Sequence, residues 1–422
     1  MMLQKVKAGA LQLTMFIVII IALLLSAFIL LIHTHNRFKI QTNFVLETVD
    51  NASKGIDYML QNDIRLDDTI QVNLHTENHK AVKVYRDYWG LFGKVVSIAT
   101  TKTNTFRKTA LMGGLQSQKD RTALYVEEQN KPLVLVGNTR VEGLTYLPKQ
   151  GVRTGNISGH SYYGSQLIYG DTKESGKLPK ILNKTLEHLK TTQNQIEGIH
   201  PNQFLDLNRT RTYRNSFLSP VQIIYSKKDM VLSNVSLTGH ILIQSRTKII
   251  VEANASLTDV VLIAPEIDIK SKSRGTFQAI ATKGLNIGQN CILNYPSALV
   301  LIEDTKQIQN ISNNIKTPFI KVGKGSDLKG VIAYLGRTEN YKAQVFIDDS
   351  VTIRGEVYCS RNLELLGKVY GSVFTSGFVA NQSGSVYQNH LYNATIAIDG
   401  LPQDYVGLMF ENQEKGVIKW LY

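Results

Sequence analysis

The sequence predicts a mainly β protein held by one N-terminal transmembrane helix. Its C-terminal region reads as a right-handed parallel β-helix (β-solenoid) with helical excursions. Three observations carry this. Residues 10–32 contain no charged side chain. An apolar-x-Gly-x-apolar-apolar unit recurs around Gly239, Gly330, Gly355 and Gly371, with a degenerate copy around Gly143. Between Met230 and Asp304, short runs with apolar residues on one side follow one another almost end to end, separated by Gly, Asn and Ser turns. Strands this short, repeating at roughly twenty residues, bury an apolar face by coiling so that each turn stacks on the next.

Composition sets the outer bounds. The 422 residues are 43% hydrophobic and 19% charged, which excludes a globally disordered chain. Lys and Arg number 47 against 34 Asp and Glu, for a net charge of +13, so anionic surroundings are favoured. The cations are dispersed. The densest groups are Lys227-Lys228 and the stretch from Arg209 to Arg214. No long basic arm and no aromatic–basic pattern accompanies them, so nucleic acid is not an expected partner.

In chain order, residues 1–9 form a short leader with Lys5 and Lys7. Ala10 to Ile32 forms the membrane anchor, roughly 34 Å of helix against a hydrocarbon core of roughly 30 Å. The run is longer than the apolar part of a secretory signal and has no small-residue cleavage site before His33. Beyond it, Phe38, Val45, Val49, Ala52, Ile56 and Met59 recur at helical spacing. This predicts that the helix continues as a stalk over 33–62. Residues 63–131 are expected to form a β-rich segment: Thr69 to Ala110 alternates in strand fashion, with an apolar turn from Trp89 to Gly93. The β-solenoid is expected over 132–395. It is interrupted by a helix-friendly insertion at 178–217, where Leu182, Leu186 and Leu189 share a helical face, and by a second excursion over 306–315. In this alignment Leu242 stacks on Leu262 and Ile243 on Ile263. Residues 396–422 lose the repeat and form a cap, because an open end would expose strand edges.

The N-terminal residues carry a resemblance. A short basic leader, Gly9, and then Ala10-Leu11-Gln12-Leu13-Thr14 opening a membrane helix that continues as a stalk resembles type IV pilins and type II secretion pseudopilins. The resemblance covers about the first 60 residues. It implies cleavage between Gly9 and Ala10, residence in the bacterial inner membrane with the N-terminus in the cytoplasm and the large domain periplasmic or extracellular, and packing against other subunits. The chain departs from the family at Thr14, where the family usually has Glu. The C-terminal repeat resembles bactofilin-type β-helices, a likeness of architecture that does not transfer function.

The chemistry-bearing residues are sparse. Secreted β-helix enzymes that cut polysaccharides need clustered carboxylates with a nearby cation. Asp259, Asp268, Asp348 and Asp349 are the candidates, and the last two are adjacent, as in a turn. His75 and His79 have ligand spacing, but no third ligand is evident. Cys291 and Cys359 show no metal spacing and read as buried thiols. No nucleotide-binding or nucleophile motif is present. No catalytic, metal or cofactor residue is therefore expected. The predicted role is a non-enzymatic, pseudopilin-like component of a secretion or surface-filament machine, with membrane lipids and other protein subunits as partners. One alternative is a tethered β-helix that binds or processes an acidic glycan. Another is a bactofilin-like polymerising scaffold.

Overall fold

The computed structural model describes residues 9–62, 68–73, 80–117, 119, 121–192, 200–303, 318–337 and 340–421. The protein is mainly β, with one long N-terminal apolar helix. It divides into two compact units, one of 1–58, 69–84 and 97–107, the other of 59–68, 85–96 and 108–422.

In the first unit, helix α1 runs unbroken over Gly9–Gln61. Its first half is exposed and apolar, from Leu11 to Ile32. In its second half Thr48, Asn51, Ala52 and Ile56 become buried. Strand β1 (Ile70–Val72) pairs antiparallel with β2 (Lys80–Trp89), Ile70 facing Val84. Strands β3 (Phe92–Thr101) and β4 (Asn104–Ser117) continue the sheet. Gly55 lets the helix approach this sheet, because a Cβ there would collide with Ser97 and press on Val82. Lys80 forms an ion pair with Glu47, and the Lys102 ammonium lies 4.0 Å from the centre of the Phe44 ring.

The second unit is dominated by one parallel ladder whose pairings close on themselves. Ser236–Gly239 pairs with Ser256–Ile269, which pairs with Arg274–Ile287 and so on to Lys368–Gln382. One column of side chains forms the apolar interior: Ile224, Ile243, Leu262, Ala279, Leu299 and Ile332, each hydrogen-bonded neighbour to the next. The repeated glycines have a steric cause. Gly330, Gly355 and Gly371 stack in register with φ between 137° and 149°, and a Cβ on either of the last two would strike the carbonyl of the glycine before it.

Three expectations are corrected here. The register is one residue shorter than the sequence alignment: Leu242 pairs with Val261, Ile243 with Leu262, and Gln244 with Ile263. The ladder also begins before residue 132, since β5 (Thr122–Val126) belongs to it. Its order in space is not its order in sequence. β5 pairs on one side with Leu144–Leu147 and on the other with Lys368–Gln382, so the first part of the ladder lies against the last. The segment between Glu174 and Thr212 links Thr172–Glu174, paired to Leu144–Leu147, with Thr212–Asn215, paired to Ser236–Gly239. It contains α2 (Asn183–Thr191), within the expected helical insertion. The expected excursion at 306–315 lies outside the described residues.

The C-terminal residues do more than close an end. Asp404–Gly407 and Lys415–Leu421 both pair antiparallel with β4, and Thr395–Ala397 still belongs to the ladder. Trp89, Leu91, Phe92, Phe217, Val406, Phe410 and Leu421 form a second apolar layer with Leu242, Val261, Ile263, Ile280 and Val300. The outward side of these strands is thereby buried as fully as the inward side.

Candidate functional site

The N-terminal apolar helix, long and apolar enough to cross a membrane, is the first element with functional content. Ala10 and Ile32 both lie within α1, and Gly9 is its first residue. The described part of the leader is Gly9 alone. Thr14, where the pilin-like pattern has a carboxylate, turns its hydroxyl back to donate to the Leu11 carbonyl at 2.9 Å. A hydroxyl satisfied within its own helix carries little penalty in lipid and offers no charge to a neighbour. Thr34, in the His33–His35 stretch, bonds the Leu30 carbonyl at 2.9 Å in the same way.

The carboxylates singled out from the sequence are not brought together. Asp259 accepts from Lys419 Nζ at 2.6 and 2.8 Å, and its carbonyl accepts from Trp89 Nε1 at 2.9 Å. Asp268 holds Lys270 at 2.7 Å and Asn286 at 3.0 Å. Asp348 and Asp349 lie in a turn, with Asp349 paired to Lys324 at 2.9 Å. Cys291 and Cys359 are free thiols, both buried, and burial pushes the Cys359 thiol up to about 12. His75 and His79 lie outside the described residues.

What the structure does assemble is a pair of buried polar clusters on the covered side of the ladder. At the β2–β3 turn, Gln278 donates from Nε2 to the Trp89 carbonyl at 2.8 Å and accepts from the Leu91 N–H at 2.8 Å, so one side-chain amide clamps both ends of the turn. His240 bonds the Ser219 carbonyl through Nδ1 at 2.9 Å, which leaves Nε2 facing Lys94 Nζ at 3.4 Å. Lys94 pairs in turn with Asp87 at 3.0 Å. His188 stacks on Tyr88 with ring centres 4.4 Å apart. Burial, with the Lys94 charge as a second cause at His240, lowers both histidines to about 4.

The second cluster centres on Glu356, which is wholly buried in a strand whose neighbours at that position are Val331 and Ser372. Its carboxyl accepts from Leu408 N–H at 2.5 Å and from Gln116 Nε2. Ser372 Oγ donates to Gln116 Oε1 at 3.1 Å. Arg121, also buried, donates to the carbonyls of Pro402 at 2.7 Å and Gln403 at 3.1 Å. Desolvation raises the Glu356 carboxyl to about 8 despite these donors. The cluster pins the C-terminal segment to the ladder. Sequence reading missed it because Glu356 is 240 residues from Gln116 and no local pattern joins it to Gln116 and Arg121.

No family model matches the chain, and no curated protein matches it. Among solved structures, the competence-associated pilin ComZ from Thermus thermophilus aligns over 85% of this chain and 87% of its own, at 11% identity and a TM-score of 0.19. Overlap that low carries no argument about fold or function.

Proposed function

We propose that the protein is a membrane-anchored, non-enzymatic assembly component of a pilus-like or secretion machine, with its β-domain outside the cytoplasm. The observation that carries this reading is α1: one unbroken helix, 53 residues long, exposed and apolar in its first half and docked on a β-sheet of its own unit in its second. A helix of that length, roughly 80 Å, has enough reach to cross a bilayer and still serve as a stalk. The parallel ladder of the second unit, with its interior column and stacked glycines, is read as a β-solenoid.

Thr14 refines the role. A repeating filament subunit of the pilin type needs a carboxylate to meet a neighbour's amine within lipid, and this chain offers a hydroxyl already bonded to Leu11. Such a subunit suits the start or tip of a filament, where one side of that pairing is absent.

Two measurements test the reading. Intact-mass and N-terminal analysis of the membrane form should find a chain beginning at Ala10, with Gly9→Val retaining residues 1–9. A wild-type chain that keeps its leader would reduce α1 to a plain signal anchor. For topology, Thr172 is exposed, so Thr172→Cys should react with a membrane-impermeant maleimide in intact cells stripped of any outer barrier. Both native thiols are buried and give low background. Labelling that needs lysis of the cytoplasmic compartment would place the domain on the wrong side.

A further inference from the structure

We propose that one exposed face of the parallel ladder, carrying Arg214, Arg274 and Lys329, binds a linear anionic polysaccharide. This site goes beyond the assembly role and does not depend on it. The face is built by register. Arg214 lies beside Thr238, Thr238 beside Thr258, and Thr258 beside Thr276 on four successive parallel strands. The intervening residues Leu237 and Leu257 point into the apolar interior, so alternation turns these side chains outward. Further across the ladder, Asp327 and Lys329 lie on the strand Asp327–Leu335, which pairs with Ile292–Ile302 and Thr352–Leu365, and Asp327 is neutralised by Arg354 at 2.5 Å. At a strand spacing of about 4.8 Å, the seven strands from Thr212–Asn215 to Thr352–Leu365 span roughly 29 Å.

Three features set this face apart. The hydroxyls of Thr238, Thr258 and Thr276 have no hydrogen-bond partner among the described residues. Likewise Arg214, Arg274 and Lys329 have no ion-pair partner among the described residues, and the two arginines are exposed. The other outward faces differ: one is buried under the second apolar layer, and on another Lys248 and Lys270 both pair with Asp268. A row of hydroxyls that both donate and accept, flanked by spaced cations, complements a chain that repeats hydroxyls and carboxylates. A nucleic acid is a poorer match, because within these seven strands the rows contain no aromatic side chain on which a base could stack, Tyr370 lying one strand beyond Arg354.

The test uses the full chain in nanodiscs of zwitterionic lipid, with polygalacturonate, dextran and single-stranded DNA as probes. Polygalacturonate should bind and dextran should not. Replacing Arg214, Arg274 and Lys329 together by Gln should weaken polygalacturonate binding about tenfold, from the loss of three exposed charge pairs. Replacing Lys227, Lys228 and Lys283 by Gln removes the same charge elsewhere and should leave the affinity unchanged. Thr258→Val with Thr276→Val should weaken binding severalfold without altering its salt dependence, the mark of lost hydrogen bonds rather than lost counterions. The proposal is overturned if polygalacturonate does not bind, if the two triple variants behave alike, if the threonine pair has no effect, or if DNA binds as tightly as polygalacturonate.

Discussion

Glu356→Gln is expected to remove the alkaline side of the protein's stability profile. The folded-state pKa of Glu356 is raised to about 8 from an ordinary value of 4.5. Between those values the native state holds a proton that the unfolded chain has released. The group's contribution is therefore full below pH 4.5 and lost as pH rises towards 8, at about 1.4 kcal/mol per pH unit. His188 and His240 act in the opposite sense. Their native values are depressed to about 4 from 6.5, so their contribution is full above pH 6.5 and lost as pH falls towards 4. From pH 4.5 to 6.5 two histidines outweigh one glutamate and stability rises with pH. From 6.5 to 8 the glutamate is the one of these three groups that titrates, and its contribution to stability falls by roughly 2 kcal/mol. The wild-type chain should thus be most stable near pH 6.5, whereas Glu356→Gln should hold a plateau to pH 8. Glutamine keeps an acceptor for Leu408 N–H, and Gln116 can turn its amide to meet the new donor. Chemical denaturation in detergent at pH 5, 6.5 and 8 would measure this. A wild-type profile flat from 6.5 to 8 would mean that Glu356 is ionised throughout.

Leu262→Asp is expected to prevent folding of the β-domain, and Ile263→Asp to come close to doing so. Leu262 is fully buried in the interior column between Ile243 and Ala279. An unpaired carboxylate there costs several kcal/mol, on the scale of the whole stability of a domain. Leu262→Ala, which leaves only a cavity, should cost about 3 kcal/mol. Ile263 points the other way, and simple alternation would leave it in water. It is instead 2% exposed, in the layer that includes Trp89, Phe217 and Phe410. Ser256→Asp, at an exposed position of the same strand, should change stability by less than about 0.5 kcal/mol. Near-UV circular dichroism and melting temperatures of the four variants separate the cases. An Ile263→Asp protein that melts like wild type would show that the second layer does not cover this strand.

The two-sided burial was partly legible. Ile241-Leu242-Ile243 and Val260-Val261-Leu262-Ile263 are continuous apolar runs, and a strand with one face in water alternates instead. The glycine spacing specifies one interior and carries no signal of a second layer. The single-residue error in register has a related cause. In a run where every residue is apolar, offsets of nineteen and twenty bury equally greasy side chains. The backbone decides between them: the offset is twenty at Thr238–Thr258 and nineteen at Leu242–Val261, because the stretch from Thr238 to Leu242, which turns at the positive-φ Gly239, holds one residue more than the facing stretch from Thr258 to Val261.

What the sequence determined by itself was local. An uncharged apolar run must sit in lipid or be buried, and a 3.6-residue stripe beyond it keeps the helix going, so α1 could be drawn from residues a few positions apart. Short apolar-faced runs with Gly and Asn turns likewise specified parallel strands rather than helices. The tertiary structure decided everything that depends on distant partners: that β5 lies against Lys368–Gln382, that the C-terminal strands pair with β4, and that Glu356 meets Gln116 and Leu408 away from water. A strand's hydrogen-bonding edges are chemically alike whatever its neighbour. Which edge is filled by which strand is therefore settled by the packing of the whole domain and not by any run of residues within it.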